Sequence, residues 1–306
     1  MDQVFEFESD TIQFVRKQYD LDKPERIVEA IIILRDWLNK QAHIVRKDYS
    51  KEYLERIIIH SKGSVERAKM KLDKIATYRT LLPQFFEPLS DPAKLSILDD
   101  VLIGFLPKLT KDHYRVFMMK IKTKTFEAGF FDYYRYFVMI CEYILAQDYC
   151  NGILVVLDYT DTNIFEVIKA INVMEMHQGV GIIMDGFGMR IKGIHIITSS
   201  KTIDTLIALF KQALSAKVAE RIKVHFSVDN LHEFIPKEIL PRDYGGQAKS
   251  LSEFACVLKS TLGSENNMNY FKEMQHASIN ENYRREDKFN DHYLGIPGSF
   301  RKLNVD

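Results

Sequence analysis

The sequence predicts an α/β fold: a mostly parallel sheet with crossover helices, preceded by an N-terminal helical bundle. Three features carry that expectation. From about residue 115 to 228, short apolar β-branched runs alternate with amphipathic helical patterns. Between Pro24 and Thr80, three stretches repeat apolar residues at helical spacing and are joined by short connections. Between Gly193 and Val228, a strand, an amphipathic helix and a second strand follow one another directly.

Taken in order, Pro24–Asn39 opens on a proline suited to a first helical turn and aligns Ile27, Ala30, Ile31, Leu34 and Leu38 on one face. Ser50–His60 places Leu54, Ile57 and Ile58 together, and Ser64 can cap Val65–Thr80. Pro83, Pro88 and Pro92 then end the helical pattern. Arg115–Ile121 reads as a strand, Phe130–Gln147 as a helix, and Ile153–Leu157 as a strand buried on both faces. Glu166–His177 reads as one helix and Gly193–Thr198 as a strand. Ile203–Leu214 carries Ile203, Leu206, Ile207, Phe210 and Leu214 on one helical face, and Ile222–Val228 is a further strand. Leu251–Leu262 is a last helix, and the remainder reads as a polar, loose or wrapped tail with Arg284, Arg285 and Lys288 lending it basic character.

At 306 residues and 46% hydrophobic, the chain can bury a large core, and no apolar run reaches the ~18 residues of a membrane span. Its start, MDQVFEFESD, has neither the basic beginning nor the apolar centre of a signal peptide. Three cysteines make no disulfide framework, so a reduced, cytoplasmic protein is expected. Lys plus Arg and Asp plus Glu are both 42, a balance that argues against nucleic acid as a partner while leaving room for a local basic patch.

Catalytic motifs fail one by one. Gly179-Val-Gly181 lacks the third glycine of a dinucleotide loop, and no phosphate-binding Gly-Lys-Ser/Thr loop occurs. His232-Glu233 lacks the second histidine of a zinc helix, and Asp158–Asn163 has the wrong spacing for a calcium loop. There is no nucleophile elbow. His195 and His225, each within an apolar strand, read as core histidines. Neither catalysis, nor a metal, nor a cofactor is expected.

Asp185, Phe187, Arg190-Ile-Lys192-Gly-Ile-His195, the amphipathic Ile203–Leu214 and the closing Leu240-Pro-Arg-Asp-Tyr-Gly-Gly246 stand in an order that resembles the CRAL-TRIO lipid-binding family. The stretches LRDWLNKQ, ERAKMKLDK and YRTLLPQFF resemble the family's N-terminal helices. By pattern alone the stripe of Ile203–Leu214 is ordinary core packing. The resemblance makes it a lid over an apolar cavity whose floor is the sheet. It implies lipid-binding walls from Tyr134, Phe137, Cys141, Ile153, Val155, Leu157, Ile182, Ile183, Phe187, Ile191 and Ile194, with Ile203, Leu206, Ile207 and Phe210 from the lid. Burying about a dozen methylenes at roughly 0.8 kcal/mol each gives on the order of 10 kcal/mol before ordering costs, the scale of a sub-micromolar ligand.

Arg190, Lys192, Lys217 and Arg221 match positions at which the tocopherol-transfer branch of the family meets phosphoinositide head groups. Arg190 and Lys192 alternate along an extended segment, and Lys217 and Arg221 are four apart, on one face if that segment is helical. The chain departs from the family at Ser61, where an arginine is usual, at Thr198-Ser-Ser200, at Phe187-Gly188 and at Gln212-Ala213. The resemblance implies a monomeric carrier of one small hydrophobic ligand (a tocopherol, retinoid, carotenoid or similar lipid) with peripheral contact to anionic, phosphoinositide-containing membranes. A lipid-dependent adaptor that recruits a protein is the alternative. The expected organisation is a helical bundle over 1–92, a lipid-binding domain over 93–250, and a C-terminal helix and tail over 251–306.

Overall fold

The computed structural model describes residues 3–90, 96–123 and 129–284. The lead-in has four helices among these residues: α1 (Thr11–Lys17), α2 (Pro24–Lys40), α3 (Lys51–His60) and α4 (Val65–Leu81). Serine hydroxyls set the starts of α3 and α4: Ser50 accepts from the Tyr53 N–H and Ser64 from the Arg67 N–H. The sequence pattern had no counterpart for α1, which is short and buries only Thr11 and Val15. Pro83 opens a single 3₁₀ turn, Pro83–Phe85, and Pro92 lies outside the described residues.

Five strands form the sheet: β1 (Val101–Phe105), β2 (Arg115–Ile121), β3 (Ile153–Asp158), β4 (Ile191–Ile197) and β5 (Ile222–His225). Their spatial order follows chain order, with β1 antiparallel to β2 and every other pairing parallel. Each crossover therefore steps in the same direction. Parallel crossovers share one hand, so the connecting helices gather on one face. These are α5 (Phe131–Gln147), α6 (Ile164–Ala170), α7 (Val173–Gly181) and α8 (Ile203–Ala213), with the short α9 (Ala216–Ala219) before β5. The other face needs a separate cover. The chain after β5 supplies it, packing Leu231, Ile235, Leu240, Tyr244 and Phe254 on Val116, Met118, Leu154, Val156 and Ile197.

Two expectations are corrected. The single helix over Glu166–His177 is two, because the Asn172 side chain accepts from the Met174 and Glu175 N–H groups and starts a new helix. The last strand stops at His225 rather than Val228, since Ser227 caps a 3₁₀ turn there. Of the loose or wrapped tail expected, the described residues are wrapped: after α10 (Leu251–Leu262), α11 (Glu265–Gln275) buries Phe271 and Met274. The chain then returns to the lead-in. Ile279 bridges Ile44, and Arg284 binds the Asp73 carboxylate at 2.8 and 3.0 Å. Arg285 and Lys288 lie outside the described residues.

Candidate functional site

Between the sheet and the crossover helices lies a cavity of about 240 Å³. Pleat alternation supplies its floor: Phe117 and Met119 from β2, then Ile153, Val155 and Leu157 from β3. Tyr134, Phe137, Ile140, Cys141 and Ile144 stand at helical spacing on α5 and form a wall. Met176 and Val180 of α7, Ile183, Met189, Ile191 and Phe210 of α8 complete the lining. Gly179 allows this packing, because a β-carbon there would meet the Tyr134 ring at 2.8 Å. A larger recess of about 500 Å³ beside the other core is lined by Glu6, Lys108, Glu238 and Gln247, a polar lining that does not suit an apolar occupant.

Of the residues expected at the walls, Tyr134, Phe137, Cys141, Ile153, Val155, Leu157, Ile183, Ile191 and Phe210 line this cavity. Ile182 and Phe187 do not. Both are fully buried in the packing around α4, where a π-helical turn, Ile182–Gly186, meets Ile75 and Tyr78. Ile194 shares the sheet face without reaching the cavity. Ile203, Leu206 and Ile207 are buried but remain outside the lining, so α8 reaches the cavity only through its last turn. Sequence reasoning missed Phe105, Phe117, Met119, Tyr159, Met176 and Met189. Within the strand Arg115–Ile121, Phe117 and Met119 share one face, but Val116 and Met118 make the other face apolar as well, and nothing local marks the others.

The four expected cations converge at the start of β4. A bulge opens between Ile153 and Leu154 of β3, against Ile191 and Gly193 of β4, and leaves Lys192 as the extra residue. Arg190 lies 4.8 Å over the Tyr19 ring and Lys192 lies 4.8 Å over the Tyr114 ring. Gly152 makes the approach possible, since a β-carbon there would meet Lys192 at 2.7 Å. Arg221 is not on a shared helix face with Lys217. Helix α9 ends at Ala219, and the Arg221 guanidinium turns back to donate to the Ile191 carbonyl.

The lead-in adds cations that the motif did not include. The α3–α4 turn brings Lys62 close enough to Lys217, and then to Arg190 and Arg67, for these to lower its pKa. Lys71 of α4 donates to the His60 carbonyl at 2.7 Å and approaches the Gly188 carbonyl at 3.4 Å. Burial, followed by Arg190 and Lys62, pulls Lys71 down to about 7; burial, followed by Arg190 and Arg221, pulls Lys192 down to about 8. One Arg190 guanidinium nitrogen (Nη1) is buried without a hydrogen-bond partner among the described residues. Mutual depression of lysine pKa values and an unsatisfied guanidinium nitrogen are what an anion would relieve.

His195 and His225 lie on the other face. Their rings are 3.0 Å apart (Nδ1 to Nε2) and pack on Phe234, away from the cavity. Burial pushes His195 down to about 4 and lowers His225, so both are neutral core groups near pH 7. Among the described residues no cluster of three or more His, Cys, Asp or Glu could hold a metal ion, and no helix is long and apolar enough to cross a membrane.

An apolar cavity between a sheet and an amphipathic helix, with cations gathered at one end of the strands, is the arrangement of an α/β lipid-binding domain. Residues 100–246 match the family described as CRAL/TRIO domain, and the chain is a CRAL-TRIO family protein. It is similar to "Alpha-tocopherol transfer protein-like" of Mus musculus, 25% identical over 235 residues, covering 75% of this chain and 68% of the relative. The Homo sapiens protein of that description is 27% identical over 238 residues, with the same coverage. "Clavesin-2" of Rattus norvegicus is 28% identical over 97 residues, or 31% of this chain and 29% of that one. The crystal structure of Sfh5 shares the fold, with a TM-score of 0.51 at 12% identity over 88% of this chain and 99% of that one. At family level the supported activity is lipid binding and transfer.

Proposed function

We propose that this protein binds one small hydrophobic molecule (a tocopherol, retinoid, carotenoid or similar lipid) and moves it between membranes as a monomeric cytoplasmic carrier rather than an enzyme. The single observation that supports this best is the cavity, whose lining is apolar apart from two phenols and a thiol. Apolar burial drives uptake. At about 240 Å³ the cavity is smaller than the ~300–1,000 Å³ usual for small-molecule sites, so loading requires Phe210 and the lid helix α8 to move.

The membrane supplies the reason for that movement. Phe165, Val173 and Met174 are exposed on α6 and α7, the two helices that pack against the lid. Arg190, Lys192, Lys217 and Arg221, joined by Lys62 and Lys71, would hold a phosphoinositide head group while those apolar side chains enter the bilayer. Opening at such a membrane releases or takes up ligand, and closure shields it in water. The division into a helical lead-in over 1–92, a lipid-binding domain over 93–250 and a C-terminal helix and tail over 251–306 belongs to the same proposal.

Native mass spectrometry of the purified chain, with solvent extraction of whatever accompanies it, tests the reading. A stoichiometric hydrophobic molecule supports it. A protein that arrives empty and refuses retinoids, tocopherols and phospholipids overturns it in favour of an adaptor that recruits a protein partner.

A further inference from the structure

We infer that the outer face of α2 is a docking surface for the chain's own C-terminal segment, residues 285–306. Residues 300–303 cover the apolar side chains of that face, and Arg301 and Lys302 meet Glu25 and Glu29. The inference does not depend on which ligand the cavity carries.

Helix α2 is apolar on two sides. Ile27, Ala30, Ile31, Leu34 and Leu38 face the bundle and are buried. Val28, Ile32 and Ile33 stand on the outer side and are exposed, Ile32 by 54%. With Pro24, Glu25 and Glu29 they line a shallow trough over residues 24–33. A helix that packs one stripe on a core ordinarily turns polar residues outward, so three clustered aliphatic side chains there mark a contact surface.

The carboxylates decide what kind of occupant fits. Glu25 and Glu29 are one turn apart, both exposed, and neither side chain has a partner among the described residues. A bilayer rich in anionic lipid would repel them, so this face does not suit the membrane that the basic patch suits. It suits an apolar segment that carries cations.

The chain contains such a segment and delivers it close by. The Val45 N–H donates to the Ser278 carbonyl and the Asn280 N–H donates to the His43 carbonyl, pairing the C-terminal return with the loop that leaves α2. Arg284 then fastens to Asp73 and Thr77 of α4. Residues 285–306 follow, and near their end the pair Arg301-Lys302 stands between Phe300 and Leu303. From Arg284 to Phe300 an extended chain spans up to roughly 50 Å, whereas Glu25 lies only ~22 Å along the helix from Lys40. Tethering at Arg284 gives the segment an effective concentration on the order of millimolar, so a contact of modest strength stays closed.

The test is zero-length carbodiimide cross-linking of the full chain, read by peptide mass spectrometry. The pair Lys69–Glu66, 2.6 Å apart, serves as the internal control. We expect Lys302 to join Glu25 or Glu29 within one molecule, at a yield unchanged by tenfold dilution. Ile32→Asp, a change at an exposed position, should reduce that yield at least fivefold. Glu25→Lys with Glu29→Lys should abolish it, and adding Arg301→Glu with Lys302→Glu should restore a cross-link between the same positions. A control that reacts while Lys302 joins neither glutamate overturns the inference. So does a yield that Ile32→Asp leaves unchanged. A cross-link that joins isotopically labelled to unlabelled chains and fades on dilution also overturns it, and gives the face to a second copy instead.

Discussion

Met189 and Arg190 are consecutive residues that serve opposite sides of one wall: Met189 lines the cavity, while Arg190 lays its guanidinium 4.8 Å over the Tyr19 ring. Extended backbone sends successive side chains to opposite sides, so the cations and the cavity share a wall without sharing side chains. Replacing Arg190 and Lys192 with alanine should therefore weaken binding to phosphoinositide vesicles roughly thirtyfold at low salt, taking about 1 kcal/mol per cation. Ligand affinity should stay within about twofold. Vesicle co-flotation beside ligand titration checks this, and an equal loss of both would count against a separate patch.

The patch should also respond to pH. Lys71 and Lys192 sit at about 7 and about 8, below their ordinary value, because they are buried among other cations. An anion favours their charged forms, so binding takes up protons and must weaken as pH rises from about 6.5 to 9. Flotation at fixed ionic strength across that range should show the decline, and Lys71→Arg should flatten its lower half. A flat wild-type profile would rule out these lysines as contacts.

Acid should destabilise the fold through its buried histidines. His60 is held down to about 3, first by burial and then by Lys71, and His195 to about 4 by burial and His225. Between pH 6.5 and those values the unfolded chain binds protons that the folded chain refuses. Stability is full above pH 6.5 and falls below it by about 1.4 kcal/mol per pH unit for each residue. Both His60 ring nitrogens lack partners among the described residues, so His60→Leu should be stabilising by ~1 kcal/mol at pH 7 and should make the acid slope shallower. Urea denaturation at pH 7 and pH 5 gives both quantities.

Filling the cavity separates its role from that of the patch. Val155 sits at the centre of the floor, on β3 between Phe117 and Ile194. Val155→Phe should reduce ligand affinity at least tenfold while vesicle binding persists, because the added ring occupies space that the ligand needs. Undiminished affinity by titration would place the ligand elsewhere.

The C-terminal return is expected to be a structural clamp. Arg284 bonds Asp73 twice and Thr77 at 2.9 Å, and His43 reaches the same carboxylate at 2.7 Å. Arg284→Ala leaves a mostly buried carboxylate short of its strongest partner and should cost about 2–4 kcal/mol, less than for a fully enclosed pair. Double substitution with Asp73→Asn should recover part of that loss in a denaturation cycle.

What could be read in the chain differed from element to element. Ile203–Ala213 announces itself because its apolar residues recur at helical period, and Arg115–Ile121 because four apolar residues stand in a row in a short run. Helix α11 does not, since only Phe271 and Met274 of its eleven residues are buried and its fit depends on neighbours far away in the chain. The break at Asn172 was visible only to an argument that weighed the cap above the apolar stripe on either side. Lys62 and Lys71 could not be joined to Arg190 by any spacing rule, because more than a hundred residues separate them.

By itself the sequence determined the class of fold, the amphipathic helix over Ile203–Ala213 and the basic pair at the start of β4, because these depend on local periodicity and motif order. Tertiary structure decided which apolar faces meet a cavity and which meet only one another. Ile203, Leu206, Ile207 and Phe210 share one stripe, yet only Phe210 reaches the cavity. The reason is geometric: a helical stripe fixes the direction in which side chains point, and the angle at which the helix crosses the sheet fixes what they find there.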